Sequence, residues 1–97
     1  MDNVDHIAIQ VKNISDAAKW YVGKFDCNLA YIDESWALIE FHNTRLALVL
    51  PEQHPSHISI KCNDAERFGA LTTHRDGTES VYIADPWLNS IEILKDK

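Results

Sequence analysis

The phrase "DHIAIQV" at residues 5–11 returns 51 positions later as "SHISIKC" at residues 56–62. A strand-like phrase repeated at this spacing constrains the chain to build one supersecondary unit twice. In the first copy Val4, His6, Ala8 and Gln10 alternate with Asp5, Ile7, Ile9 and Val11, and a period of two belongs to a strand with unlike faces. One face is apolar and the other carries His6 and Gln10. In "NISDAAKWYVGKF" the period changes: Ile14, Ala17, Ala18, Tyr21 and Phe25 follow helical spacing, with Asn13 or Ser15 as the N-cap. Three short β-prone runs follow, "NLAYID", "SWALIEF" and "RLALVL", separated by the turn residues "ES" and "HNT". The order is β-α-β-β-β.

The second half repeats that order more briefly. "SHISIKC" is its strand, "NDAERFGAL" a shorter helix ending near Gly69, and "LTTH", "ESVYIA" and "NSIEIL" are its remaining strands, with "RDGT" as a hairpin turn. "ESW" at Glu34 maps onto "ESV" at Glu79, a shift of 45. The difference from 51 is taken up by the shorter helix and its connections. No Gly/Ser tract separates the halves, and "PEQHPS" reads as a rigid crossing with two prolines. The expectation is an α+β fold in one domain, residues 1–97. It is made of two βαβββ modules, about 1–50 and 51–97, that form a cup-shaped curved mixed sheet with helices on the outer face.

Composition narrows the partners. At 45% hydrophobic and 25% charged residues the chain has globular composition, and 97 residues bury roughly two thirds of their unfolded surface. A net charge of −6, with nine Lys and Arg scattered along the chain, excludes the clustered cations of a nucleic-acid binder. The longest apolar runs fall well short of the ~20 residues of a membrane helix, and "MDNVDH" lacks the pattern of a signal peptide. A cytoplasmic protein that meets small molecules or other proteins, without nucleic acid or membrane, is expected. Cys27 and Cys62 lack CxxC spacing and read as packed thiols.

Glu92 is the residue that structure alone explains least well. In "NSIEIL" the residues Ile91 and Ile93 face the apolar side, and Ser90, Glu92 and Leu94 the other. A carboxylate between two isoleucines in an interior strand is unfavourable unless paired, hydrogen-bonded or bound to a metal. If the modules lie side by side, His6 and His57 on equivalent strands approach each other and Glu92 meets them. Two imidazoles and a carboxylate suit Fe(II), Mn, Co, Ni or Zn, with coordination positions open for a substrate. Single strand histidines are more often hydrogen-bonded residues than ligands; recurrence in a repeat is what favours the metal reading here.

"DHIAIQVKNISDAAKWY", "SHISIKCND" and "YIADPWLNSIEIL" resemble the first strand and helix, the second-module strand and the closing hairpin of the vicinal oxygen chelate superfamily. That superfamily includes glyoxalase I, methylmalonyl-CoA epimerase, extradiol dioxygenases, fosfomycin-modifying transferases and bleomycin-resistance proteins. The resemblance covers essentially the whole chain. It implies metal ligands at His6, His57 and Glu92, a homodimer, and cups that some members build from two chains. Three departures stand out. Glyoxalase-type and epimerase-type members carry a further acidic or amide ligand, which also serves as base, at the position that the shift of 45 assigns to Ala47; Glu40 in "ALIEF" is the candidate substitute. The basic tail of the fosfomycin-modifying enzymes has no counterpart before Lys97. The usual Asp-Pro-x-Gly-Asn turn reads Asp85, Pro86, Trp87, Leu88, Asn89; because a bulky residue resists positive φ, either Asn89 takes the left-handed position or the turn differs.

Among the remaining residues, Tyr82 can donate to a substrate oxygen or simply pack, and Gln10, on the face of His6, is a candidate substrate or supporting contact. His74 is a candidate acid or base at the cup mouth. His42 and His54 read as exposed loop residues. Trp20 and Tyr21 read as helix-face core, and Trp36 and Trp87 as core or subunit contact. The resemblance then implies a metal-dependent enzyme that chelates a small substrate through two adjacent oxygens. Without a base at Ala47, dioxygenase-type open-site chemistry fits better than the proton shuttling of a glyoxalase-like or epimerase-like lyase or isomerase. The alternative from another class is a protein that sequesters a drug-like ligand without chemistry.

Overall fold

The computed structural model describes residues 1–96. The chain divides into two units, one comprising His6–Ser56, the other running from His57 onward together with Met1–Asp5. The fold is α+β, as expected from the repeat. In chain order the elements are β1 (Asn3–Gln10), α1 (Ile14–Lys24), β2 (Asn28–Ile32), β3 (Trp36–Glu40), β4 (Arg45–Val49), β5 (His57–Cys62), β6 (Thr72–Thr73), β7 (Glu79–Ala84) and β8 (Ser90–Lys95). Among the described residues no helix is long and apolar enough to cross a membrane.

In the amino-terminal unit the strand order is β2-β3-β4-β1. The pairs β2/β3 and β3/β4 are antiparallel, whereas β1 and β4 are parallel. Of the two N-cap candidates it is Asn13 that caps α1, its Oδ1 accepting from the Asp16 backbone N–H at 2.9 Å and so satisfying a donor the helix cannot. Asp16 in the first turn and Lys24 in the last both complement the helix dipole. Phe25, expected to continue the helical stripe, is instead extended and ends the helix. The stripe of Ile14 and Ala18 packs on Ala37, Ile39 and Leu48, with Ala17 and Tyr21 at its edge. Ile39 and Leu48 are fully buried, so truncating either to Ala would cost about 2–5 kcal/mol. Trp20 is a correction: it was expected in this core and is 54% exposed, with its ring edge on Tyr21 at 5.0 Å. Two residues beyond Ala18 on a helix is about 200° around the axis, which turns Trp20 away from the stripe.

The carboxy-terminal unit orders its strands β5-β8-β7-β6, with β5/β8 parallel and the other pairs antiparallel. Here the expected second helix is only a 3-10 turn over Ala65–Phe68. Its sequence offers two apolar residues, Ala65 and Phe68, before Gly69 stops it at φ 150°, too little to sustain an α-helix. The turn packs Ala65 against Cys62 and Ile93, flanked by Ile60, Phe68, Val81 and Ile91. In each unit the helical element therefore covers one sheet face and leaves the opposite face to other residues. The expected "RDGT" turn forms with Gly77 at φ 87°, where the His74 N–H donates to the Thr78 carbonyl at 2.7 Å and the Gly77 N–H to the His74 carbonyl at 2.9 Å.

The turn between β7 and β8 overturns one expectation. Leu88, not Asn89, adopts the left-handed conformation, at φ 69°. The Asp85 carboxylate makes this possible by accepting from the backbone N–H groups of Trp87 and Asn89, each at 2.9 Å, and from the Asn89 side-chain amide at 2.9 Å. Leu88 is 85% exposed, and a left-handed leucine carries a local backbone strain of ~1–2 kcal/mol.

Candidate functional site

Among the described residues the buried polar side chains are His57, Ser59, Ser80 and Glu92, and all four stand on one face of the carboxy-terminal unit. The register explains why. Ser59 on β5 and Tyr82 on β7 both pair with Glu92 on β8, so the three form one row across adjacent strands. His57 precedes Ser59 by two residues and Ser80 precedes Tyr82 by two, which keeps both on the same face. The 3-10 turn packs against the other face, where Ile60, Ile91, Ile93 and Val81 point.

Glu92 is the centre of this patch. His57 Nε2 stands 3.5 Å from Glu92 Oε1, the Ser80 hydroxyl donates to Oε2 at 2.9 Å, and His74 Nε2 is 3.6 Å from Oε2. Burial on its own pushes the carboxyl's pKa up. The hydrogen bonds of His57 and Ser80, the charge of His57 and the Ser59 hydroxyl more than reverse that and hold it at about 2. Glu92 is thus an ionised carboxylate in a site only 6% exposed, an arrangement several kcal/mol unfavourable without such partners. The Ser59 hydroxyl acts on Glu92 only weakly: it is fully buried and makes no hydrogen bond of ordinary geometry.

Tyr82 stands edge-on to the His57 ring, with centroids 5.1 Å apart and planes at 90°. Burial and then the neighbouring Glu92 charge push its phenol pKa up, so at neutral pH it keeps its proton and is a hydrogen-bond donor. It is 36% exposed, which leaves it accessible from solvent. His74, half-buried at the end of β6, meets the Ser80 hydroxyl at 2.5 Å through Nε2. That places it beside Glu92 as part of the carboxylate's hydrogen-bonded surroundings.

The equivalent face of the amino-terminal unit is different in kind. Ala47 pairs with Ala8 and Leu38, and Trp36 pairs with Val49; these residues form a small apolar cluster. By register Ala47 occupies the place of Glu92, Ala8 that of Ser59, and Leu38 that of Tyr82. No acid or amide stands at that place. Glu40 is exposed at the end of β3, opposite Arg45. His6 is half-buried on β1, on the face that Ala8 shares. The Gln10 side chain donates to the His54 carbonyl at 2.9 Å, and its backbone N–H donates to Ser56 Oγ at 3.1 Å, tying β1 to the prolyl crossing. His42 is exposed as expected; His54 is half-buried rather than exposed. Trp36 stacks on Tyr31 at 4.8 Å, while Trp87 is exposed.

Ser59 and Ser80 were not anticipated. The usable signal was alternation: each lies two residues from a residue already singled out. A lone serine in a strand carries no chemistry of its own, however, and only the cross-strand register brings it to Glu92.

No protein-family model and no curated protein matches the chain. Solved structures do. A hypothetical protein of Bacillus halodurans C-125 superposes with a TM-score of 0.81 at 19% identity, over 99% of this chain and 95% of the other. A glyoxalase/bleomycin resistance protein/dioxygenase superfamily member from Vibrio splendidus 12B01 gives 0.76 at 11% identity, over 99% and 100%. A third, described as an NAD-dependent benzaldehyde dehydrogenase from Legionella pneumophila, gives 0.70 at 17% identity, over 94% and 97%. At these identities the likeness is one of fold. The chain has the fold of the glyoxalase/bleomycin resistance/dioxygenase superfamily, and function has to be argued from the site.

Proposed function

We propose that the chain is a metal-dependent enzyme that binds a small substrate through two adjacent oxygens, with His6, His57 and Glu92 as the protein ligands. The observation that carries the reading is the buried Glu92 carboxylate facing His57. The donor set fits such a group: a carboxylate oxygen and an imidazole nitrogen suit a borderline divalent cation, Fe, Mn, Co, Ni or Zn. Their separation of 3.5 Å would let both reach a single ion. The fully buried Ser59 hydroxyl without a hydrogen bond marks a polar spot on the same floor. His6 enters through the repeat, since it holds on β1 the place of His57 on β5. It offers one imidazole nitrogen, supplied within the chain or by the second copy of a homodimer in the cytoplasm.

When bound, the cation would supply Lewis acidity that stabilises negative charge on the substrate's paired oxygens. The chain's own residues do the rest. His57 binds as neutral imidazole, and Glu92 offsets part of the cation's charge. Tyr82, still protonated at neutral pH, donates a hydrogen bond to a substrate oxygen beside His57. Because Ala47 and its neighbours provide no proton acceptor, chemistry that needs none from the protein is favoured over proton shuttling. Ring opening of a catechol by dioxygen is a candidate: both oxygen atoms enter the product, no external reductant is consumed, and the proton the catechol gives up on binding passes to solvent water and not to a base at the place of Ala47. Glu40 and His74 are the residues to examine as bases if an isomerase or lyase activity is found instead.

The test is titration of the Fe(II)- or Mn(II)-loaded protein with catechols under argon, then with oxygen. The expected result is an absorbance change on binding that His57→Ala abolishes, followed by stoichiometric oxygen uptake. Binding of catechol that is indifferent to metal and to His57→Ala contradicts the proposal and points to a sequestering protein.

A further inference from the structure

We infer that Ser80 and His74 are positioning residues for Glu92, holding Oε2 so that Oε1 alone is presented beside His57. The inference rests on the metal-ligand reading of Glu92 and extends it to two residues outside the ligand set.

A serine hydroxyl has one proton to give and lone pairs to receive with. The Ser80 hydroxyl donates to Glu92 Oε2 at 2.9 Å, which commits its one proton to Glu92. Ser80 must then accept from His74, whose Nε2 is 2.5 Å away. His74 therefore carries a proton on Nε2, and that same N–H end lies 3.6 Å from Glu92 Oε2. Ser80 holds one carboxylate oxygen directly and His74 acts on it through Ser80, whereas His57 Nε2 approaches the other, Oε1, at 3.5 Å. The two oxygens of Glu92 are thus assigned different partners, and the carboxylate plane is fixed by β7 on one side and β5 on the other.

The chain maintains this network at some structural expense. Ser80 is 1% exposed, and its hydroxyl is hydrogen-bonded to Glu92, which offsets the cost of burying it. His74 is set by the turn that follows it, closed by its own N–H to Thr78 and by Gly77 at φ 87°, with the Asp76 carboxylate accepting from the Thr78 N–H at 3.0 Å and from its hydroxyl at 2.6 Å. In the amino-terminal unit the register position of Ser80 is Trp36, beside Val49, and no carboxylate stands at Ala47. The polar pair occurs in the unit that has an acid to orient. Partners of this kind fix a ligand's orientation, and their removal typically weakens metal binding ~10–100-fold.

The experiment is Co(II) titration of wild type, Ser80→Ala, His74→Leu and His74→Gln, followed by visible d–d absorption, with thermal unfolding of the metal-free proteins in parallel. Glutamine retains an N–H donor near the place of Nε2. The expected result is Co(II) affinity lower by about 10–100-fold in Ser80→Ala and His74→Leu with an altered d–d spectrum, and recovery to within about threefold of wild type in His74→Gln. Wild-type affinity and spectrum in Ser80→Ala and His74→Leu overturn the positioning role while leaving the metal reading standing. Equal losses in His74→Leu and His74→Gln also overturn it, and this pair decides the matter if Ser80→Ala does not fold. Absence of Co(II) binding by wild type itself overturns both the metal reading and this inference.

Discussion

Replacing Glu92 by Gln should change how the stability of the metal-free protein depends on pH. In the folded chain the carboxyl titrates at about 2, against 4.5 for the free group. A folded pKa below the unfolded one means that ionised Glu92 stabilises the fold above about 4.5 and that this contribution disappears as pH falls through 2. At about 1.4 kcal/mol per unit, the full difference is about 3 kcal/mol at pH 7. At pH 3 the unfolded chain has taken up its proton while the folded chain has not, and about 1 kcal/mol remains. Urea unfolding with chelator present, at pH 7 and pH 3, should therefore show the gap between wild type and Glu92→Gln narrowing by about 2 kcal/mol. Other carboxylates, including Asp76 and Asp85, whose pKa values are also lowered, are common to both proteins and cancel. A gap that stays constant between the two pH values would refute the claim that Glu92 is held ionised by His57 and Ser80.

Other expectations concern single side chains. Leu88→Gly relieves a left-handed leucine at an exposed turn and should raise unfolding stability by about 1 kcal/mol, read from the urea midpoint; a loss of stability would show that the turn is not strained. Ser59→Ala removes a buried hydroxyl that makes no hydrogen bond of ordinary geometry, so the metal-free protein should lose less than about 0.5 kcal/mol; a loss above about 1.5 kcal/mol would mean the hydroxyl is bonded. Gly69→Ala places a methyl 3.1 Å from Val81 Cγ2 at φ 150° and should destabilise by at least about 1 kcal/mol in the same assay; an unchanged midpoint would refute the need for glycine there.

The repeat was legible because period-two alternation and the change to helical spacing are local signals. The placement of Glu92 between Ile91 and Ile93 exposed it as an anomaly without any structure. Ala47 is legible only through the family resemblance and the internal shift of 45 from Glu92, and the register of β4 with β1 and β3 places it as the counterpart of Glu92. Other features turn on geometry that residue patterns do not report. Trp20 sits next to Tyr21 in the chain, and only the angle around the helix axis separates core from solvent. The second helix shrank to one 3-10 turn because Gly69 follows too few apolar residues, a matter of length more than of propensity. Leu88 holds a conformation its side chain disfavours because three Asp85 hydrogen bonds in the turn outweigh the strain. Ser59 and Ser80 stayed hidden because a serine acquires chemical meaning from its cross-strand neighbour, and here that neighbour is Glu92.

The most direct test of the central claim is the metal content of protein purified without chelator, measured by elemental analysis beside His57→Ala and Glu92→Ala. Near-stoichiometric Fe, Mn, Co, Ni or Zn is expected in wild type, lost in both variants while their folds remain intact. A folded wild-type protein that holds no metal even after reconstitution would contradict it.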